Sequence, residues 1–334
     1  MTMTKRLAAA FTLCSLSLFA DRTVQNFNAD WRFQKDPAAT LDATPAAFDD
    51  QTWQAVRLPH DWAISGPFDP KSDGGTGKLP WSGVGWYRKT FTLPAAEAGK
   101  RVYLDFDGVM ASPEVYINGQ RAGGWDYGYI GFRVDATPFL AFGRPAVVAV
   151  KADTRNHHSR WYPGAGIYRK VTLTLCDPVQ VAHEATVITT PEASATGASV
   201  RLVSALTNAT DRTVDAAVTV TLLDPDGKTA AAKQLTVTVP ARAAAPFEQR
   251  FALAAPRLWD LDAPNLYRAR IAVKAGGCSD TETTRFGIRS FAFPADDGFH
   301  LNGRRVQLQG VDLHADLGPL GMAFNRSAMR RQFE

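Results

Sequence analysis

Short stretches of period-two alternation, punctuated by Gly and Pro, most restrict the folds open to this 334-residue chain. In "RVYLDFDGV", Val102, Leu104 and Phe106 fall on one face and Tyr103 and Asp105 on the other. That is the spacing of a strand with one face against a core. "VYINGQRAGG" places Asn118-Gly119 directly after a short strand, the strongest short hairpin signal. "AVVAVKAD" is a continuous apolar run, expected of a strand covered on both sides, and "IYRKVTLTL" closes the unit with β-branched residues. Twenty prolines and few long helical patterns point the same way. Residues 21–177 are therefore expected to form a sandwich of the jelly-roll type.

The pattern shifts at about Pro178. "SVRLVSALTN", "AAVTVTLLDPDGKTAAAKQLTVTV", "PFEQRFAL" and "LYRARIAVKAG" predict roughly seven strands over 178–287, with a hairpin at Asp226-Gly227. Strand number and length suit an immunoglobulin-like β-sandwich, although any small β-sandwich would share them. Cys278 has no cysteine partner inside this unit, so Cys176 and Cys278 are expected to be buried thiols.

A third unit, 288–334, opens with a hairpin about Asn302-Gly303. Val306 and Leu308 predict a strand running through Gly310 into Asp312, His314 and Asp316. A helix is expected from Asn325 or Ser327, with Met329 and Phe333 on one face. Strand, loop and helix make the first step of an α/β unit, but a (β/α)8 barrel needs about 250 residues. The expectation is a front portion of a longer protein, cut inside its third domain.

Residues 1–20 pair Lys5 and Arg6 with an apolar stretch from Leu7 to Ala20, a signal-peptide layout too short for a membrane span of about 20 residues. Export to the periplasm or medium, with cleavage near Ala20, is expected. The formal charge of +4 falls to +2 without Lys5 and Arg6, and no basic run exceeds a pair, so nothing argues for nucleic acid.

Four stretches, "LPHDWAISGPF" (58–68), "GVGWYRKTF" (83–91), "SRWYPGAGIYRKV" (159–171) and "LNGRRVQLQGVDLHADLGPLG" (301–321), together resemble glycoside hydrolase family 2, most closely its bacterial β-galactosidases. They occur in the family's order and fall in all three units. The resemblance implies a mainly β chain: a jelly-roll sugar-binding domain, an immunoglobulin-like domain, then the start of a (β/α)8 catalytic barrel. It also implies hydrolysis of β-galactosides with retention, by a carboxyl pair about 5 Å apart. In the family both are Glu residues late in the barrel, beyond Glu334, so no catalytic residue is assigned here.

By the same resemblance, His314 and Asp316 stand at the end of the first barrel strand, and Arg160 and Trp161 in a loop reaching toward the barrel mouth. An indole face suits the C–H side of a sugar, and guanidinium and imidazole suit its hydroxyls. Asp312, where relatives more often carry Cys or Asn, and Ala315, where they often carry His or another polar residue, depart from the pattern.

Blander readings stand beside these. His314 can be a satisfied buried histidine, and Trp161 and Tyr162 core aromatics. His60 and Asp61, adjacent on extended chain, point to opposite faces and suit structural hydrogen bonds better than a dyad. His157-His158 lacks a third nearby metal ligand. Asp312, His314 and Asp316 at spacing two would form a metal set only if the strand continued past Asp316, and Gly318-Pro319 argues against that. β-Glucuronidase and β-mannosidase of the same family, a metallohydrolase and a non-catalytic lectin remain alternatives. Cofactors, aglycone, metal requirement and a homo-oligomeric state of the full-length protein stay open.

Overall fold

In the computed structural model, the structure describes residues 22–72, 74–310, 312–314 and 317–334. The leader expected over residues 1–20 and the candidate Asp316 lie outside the described residues.

The first unit contains strands β1 (Thr23–Asn26), β2 (Trp31–Asp36), β3 (Gln54–Val56), β4 (Val84–Thr92), β5 (Arg101–Phe106), β6 (Glu114–Ile117), β7 (Gln120–Gly124), β8 (Phe132–Asp135), β9 (Pro145–Asp153) and β10 (Val171–Cys176). They form two antiparallel sheets, β1-β10-β5-β8 and β3-β2-β4-β9-β6-β7. Val102, Leu104 and Phe106 of β5 are buried between the sheets, as their alternation predicts. The apolar run of β9 is covered on both faces. Val148 and Val150 enter the main core, while Ala149 joins a smaller cluster with Trp53 and Trp86. Asn118 and Gly119 turn the β6–β7 hairpin with φ of 50° and 84°, the left-handed pair that a two-residue turn of this kind requires.

The second unit is a sandwich of longer strands: β11 (Val179–Val181), β12 (Val187–Ala193), β13 (Gly197–Asn208), β14 (Val214–Leu223), β15 (Thr229–Val239), β16 (Ala243–Ala254), β17 (Tyr267–Ala275) and β18 (Cys278–Phe286). One sheet places β13 between β16 and the pair β11 and β12; the other runs β15-β14-β17-β18. This is an immunoglobulin-like sandwich without an inter-sheet disulfide, for Cys176 and Cys278 are both free thiols. Burial pushes the Cys176 thiol up to about 12, and its Sγ lies 2.7 Å from Gln180 Oε1. The two sandwiches meet at Arg22, whose guanidinium contacts Asp280 and Glu282 of β18, each at 2.9 Å.

The third unit departs from expectation at its strand. The Asn302-Gly303 turn forms, joining β20 (His300–Leu301) to β21 (Arg304–Arg305), with β19 (Phe291–Ala292) alongside. Residues 306–310 are not a strand, and Leu308 is 69% exposed. A strand needs a hydrogen-bonding neighbour; one backbone bond, Val306 N–H to Phe299 O at 2.8 Å, reaches the start of this stretch, and among the described residues no strand pairs with 307–310. Alternation specifies a face but supplies no partner. The helix α1 (Arg326–Phe333) does form, capped by Asn325 Oδ1 accepting from the Ala328 N–H at 3.0 Å. Among the described residues, no helix is long and apolar enough to cross a membrane.

Candidate functional site

Two irregular loops of the first sandwich lie back to back at one end. The "LPHDW" loop and the "SRWYPGAGIYRKV" loop are joined by backbone bonds from His60 N–H to Ile167 O (2.8 Å) and from Trp62 N–H to Ala165 O (3.0 Å). Gly166 permits this approach. A Cβ there would overlap the Tyr87 hydroxyl, and its φ of 115° is one that other residues rarely adopt.

His60 and Asp61 diverge, as extended backbone dictates. His60 Nδ1 meets the Tyr87 hydroxyl at 2.8 Å, and burial lowers its pKa to about 4, so the ring is neutral at physiological pH. Asp61 faces the other way and is 1% exposed. Its Oδ1 accepts from the N–H groups of Ala63 (3.0 Å) and Ala165 (3.1 Å); Oδ2 accepts from Tyr162 Oη (2.7 Å) and Met322 N–H (2.9 Å). Burial pushes its carboxyl up, opposed by those hydrogen bonds. These two residues are structural anchors, not a dyad.

Three of the residues expected at the site come together. Trp161 is 50% exposed, so it is not a core aromatic. The His314 ring meets its indole edge-on, with centroids 4.9 Å apart and planes at 87°, and the Arg160 guanidinium lies 4.9 Å from the same indole. Residues 154 places apart in sequence thus share one lip. His314 Nε2 lies 3.6 Å from Asp312 Oδ2, while Tyr162 turns inward to Asp61.

Beside this lip opens a cavity of about 550 Å³, lined by Trp81, His157, Ser159 and Arg160 among others. Thr154 pins its floor: its Oγ1 donates to Trp81 O at 2.8 Å and accepts from Gly83 N–H at 2.9 Å. Lys35 Nζ holds Pro80 O at 2.9 Å. Burial lowers the pKa of His157, which packs against Trp81 and Tyr129 with ring centroids 6.1 Å away in each case. Trp81 and Tyr129 were not among the expected site residues. The only signal for them is an aromatic set among Gly and Ser in "KLPWSGVGW" and "DYGYIGF". Such a lining offers ring faces, hydroxyls and cationic or neutral nitrogen donors, a set that binds and orients a polyhydroxylated ring. No carboxylate is among its described lining residues.

Two family descriptions match the chain: "Glycosyl hydrolases family 2, sugar binding domain" over residues 24–177, and "Glycosyl hydrolases family 2" over residues 182–289. The β-galactosidase BoGH2A of Bacteroides ovatus is 41% identical over 324 residues, covering 96% of this chain and 38% of the relative. A putative β-glucuronidase of Formosa agariphila is 35% identical, covering 95% of this chain and 30% of the relative. Among solved structures, a glycosyl hydrolase family 2 member from Bacteroides cellulosilyticus superimposes with a TM-score of 0.86 at 32% identity, over 93% of this chain and 41% of that one. The chain therefore spans well under half the length of these relatives.

Proposed function

The chain belongs to glycosyl hydrolase family 2, and from that membership we propose that it forms the sugar-binding N-terminal portion of a retaining β-glycosidase acting on terminal β-galactosides. The observation that carries this reading is the convergence of Arg160, Trp161 and His314 on one lip beside the Trp81 cavity. In this reading the indole packs on the apolar side of the sugar while Arg160 and His314 bond its hydroxyls. Residues 288–334 begin the catalytic barrel, and Asp316 remains a candidate partner for the sugar. The acid and nucleophile come from that barrel. What favours galactose is the 41% identity to a relative named a β-galactosidase. The leader pattern of residues 1–20 supports export.

A glucuronide is the second reading. The named relatives include β-glucuronidases, and Arg160 has no ion-pair partner among the described residues, leaving its guanidinium free for a sugar carboxylate. Calorimetric titration of the 334-residue chain with methyl β-galactoside and methyl β-glucuronide separates the two. Tighter galactoside binding, lost in Trp161→Ala, is expected, with no turnover of a chromogenic β-galactoside. Preference for the glucuronide would transfer the assignment to the second reading. Turnover that copurifies with the chain would overturn the proposed division of labour.

A further inference from the structure

Among the described residues from Val306 to Phe324 there is no strand, yet His314 within this stretch meets Trp161 edge-on. Something other than sheet pairing must hold it there. Met322 is 3% exposed and packs among Met110, Ala111 and Tyr168 of the first sandwich, with Tyr162 beside them. Its N–H donates to Asp61 Oδ2 at 2.9 Å, a bond between residues 261 positions apart. Phe324 N–H donates to Tyr168 O at 2.9 Å, and Leu317 N–H to Gly321 O at 2.8 Å, closing a short arm at both ends.

The seat leaves no room for adjustment. A Cβ on Gly321 would overlap Asp61 Oδ2, and one on Gly164 would overlap the Met322 side chain. The same Oδ2 also accepts from Tyr162 Oη at 2.7 Å, and Tyr162 follows Trp161 directly. One carboxylate oxygen therefore bonds both Tyr162, which follows Trp161, and Met322 in the arm that comes after His314 in the chain. Bonds to an ionised acceptor are roughly twice as strong as neutral ones.

We infer that Asp61 is the positioning residue of this lip, the group that sets His314 against Trp161. The inference rests on the reading above only in supposing that the lip meets a sugar; the positioning itself is a property of this chain. It gives the "LPHDW" motif a role that neither its position in a loop nor the His60 neighbour suggests.

Asp61→Asn tests it with little change of size. The amide oxygen can keep the Ala63 and Ala165 donors, and Tyr162 can reverse its hydroxyl to accept from the amide NH2. That NH2 then faces the Met322 N–H, donor against donor. The sandwiches should keep their fold while the arm loses its anchor. Gly321→Ala disturbs the same seat from the arm side, its methyl group pressing on Asp61 Oδ2 and Ile64, and leaves the second sandwich untouched.

In the 334-residue chain, three readouts are taken: amide exchange at 317–324, the His314 ring proton shift that the indole imposes, and methyl β-galactoside affinity. Both variants should speed exchange at 317–324 by about tenfold or more, with strands β13–β18 unchanged. The His314 shift should move toward that of Trp161→Leu, and affinity should fall by about tenfold. Unchanged exchange and an unchanged His314 shift in both variants would overturn the inference. If the wild-type chain ignores the galactoside while the His314 shift still responds to Asp61→Asn, the positioning role stands and the sugar reading falls.

Discussion

The second sandwich is made mostly of paired backbone: β13, β14, β15 and β16 run for 12, 10, 11 and 12 residues. In the first, the longest strands, β4 and β9, run for nine residues, and among the described residues of 57–83 and 154–170 there is no strand. Long strands satisfy their own N–H and C=O groups. Irregular chain must borrow partners from side chains. Hence Asp61, Arg88 and Thr154 are buried in the first sandwich where they hold loops; in the second, buried Asn208 ties the turns at Arg212 and Pro240, while buried Gln180, Ser279 and Asp280 lie at its seam with the first. The lip sits where backbone pairing stops. A surface for recognition is available there because side chains, not ladders, shape it.

The difference can be pressed by substitution, and Arg88 should show it most. Its guanidinium is 1% exposed, pairs with Asp50 at 2.9 Å, and reaches the carbonyls of Ala43, Ala46 and Phe48. Arg88→Met should cost about 4 kcal/mol, because it strands a carboxylate and several acceptors together. Urea unfolding of the first sandwich measures it. By contrast, Arg201→Gln, which removes an exposed pair with Glu248 on the second sandwich, should leave the unfolding midpoint where it is.

Gly166→Ala comes next, at about 3 kcal/mol, since it adds a methyl group against Tyr87 at a φ that Ala resists. Its counterpart in the second sandwich, Gly227→Ala, also has positive φ but meets only the Arg268 side chain; about 1 kcal/mol is expected. Equal losses at the two glycines would erase the contrast.

A pH effect follows from His60. Its folded pKa is about 4 against a reference of 6.5, so the unfolded chain takes up the proton first as pH falls. Stability is therefore unaffected above about pH 6.5 and declines between about 6.5 and 4, by about 2 kcal/mol once the partly exposed ring is allowed for. His60→Gln should flatten this slope. A slope that survives the substitution would mean that another group sets it.

Where one sheet face is buried, the sequence is sufficient: Val102, Leu104 and Phe106 announce β5, and the run of β9 announces two covered faces. Positive φ at Asn118-Gly119 and Asn302-Gly303 is equally legible, because few residues other than Asn and Gly tolerate it. The same alternation misleads at Val306 and Leu308, since period two names a face without naming a neighbour. At Asp61 a structural hydrogen-bonding role is legible, but its partners are not. Its donors come from positions 63, 162, 165 and 322, and only the first is local. Trp161 and His314 are suspicious residue types in the sequence; their 4.9 Å contact is a fact of tertiary structure alone.

The central claim is that the Arg160–Trp161–His314 lip receives a β-galactoside. The most direct test labels the chain with 5-fluorotryptophan, assigns the Trp161 fluorine signal with Trp161→Phe, and titrates with methyl β-galactoside. The account predicts a saturable shift at Trp161, a smaller one at Trp81 beside the cavity, and none at Trp259 in the second sandwich. Loss of the Trp161 response in His314→Ala should follow. A Trp161 signal that no saccharide moves, or a response confined to Trp259, would contradict it.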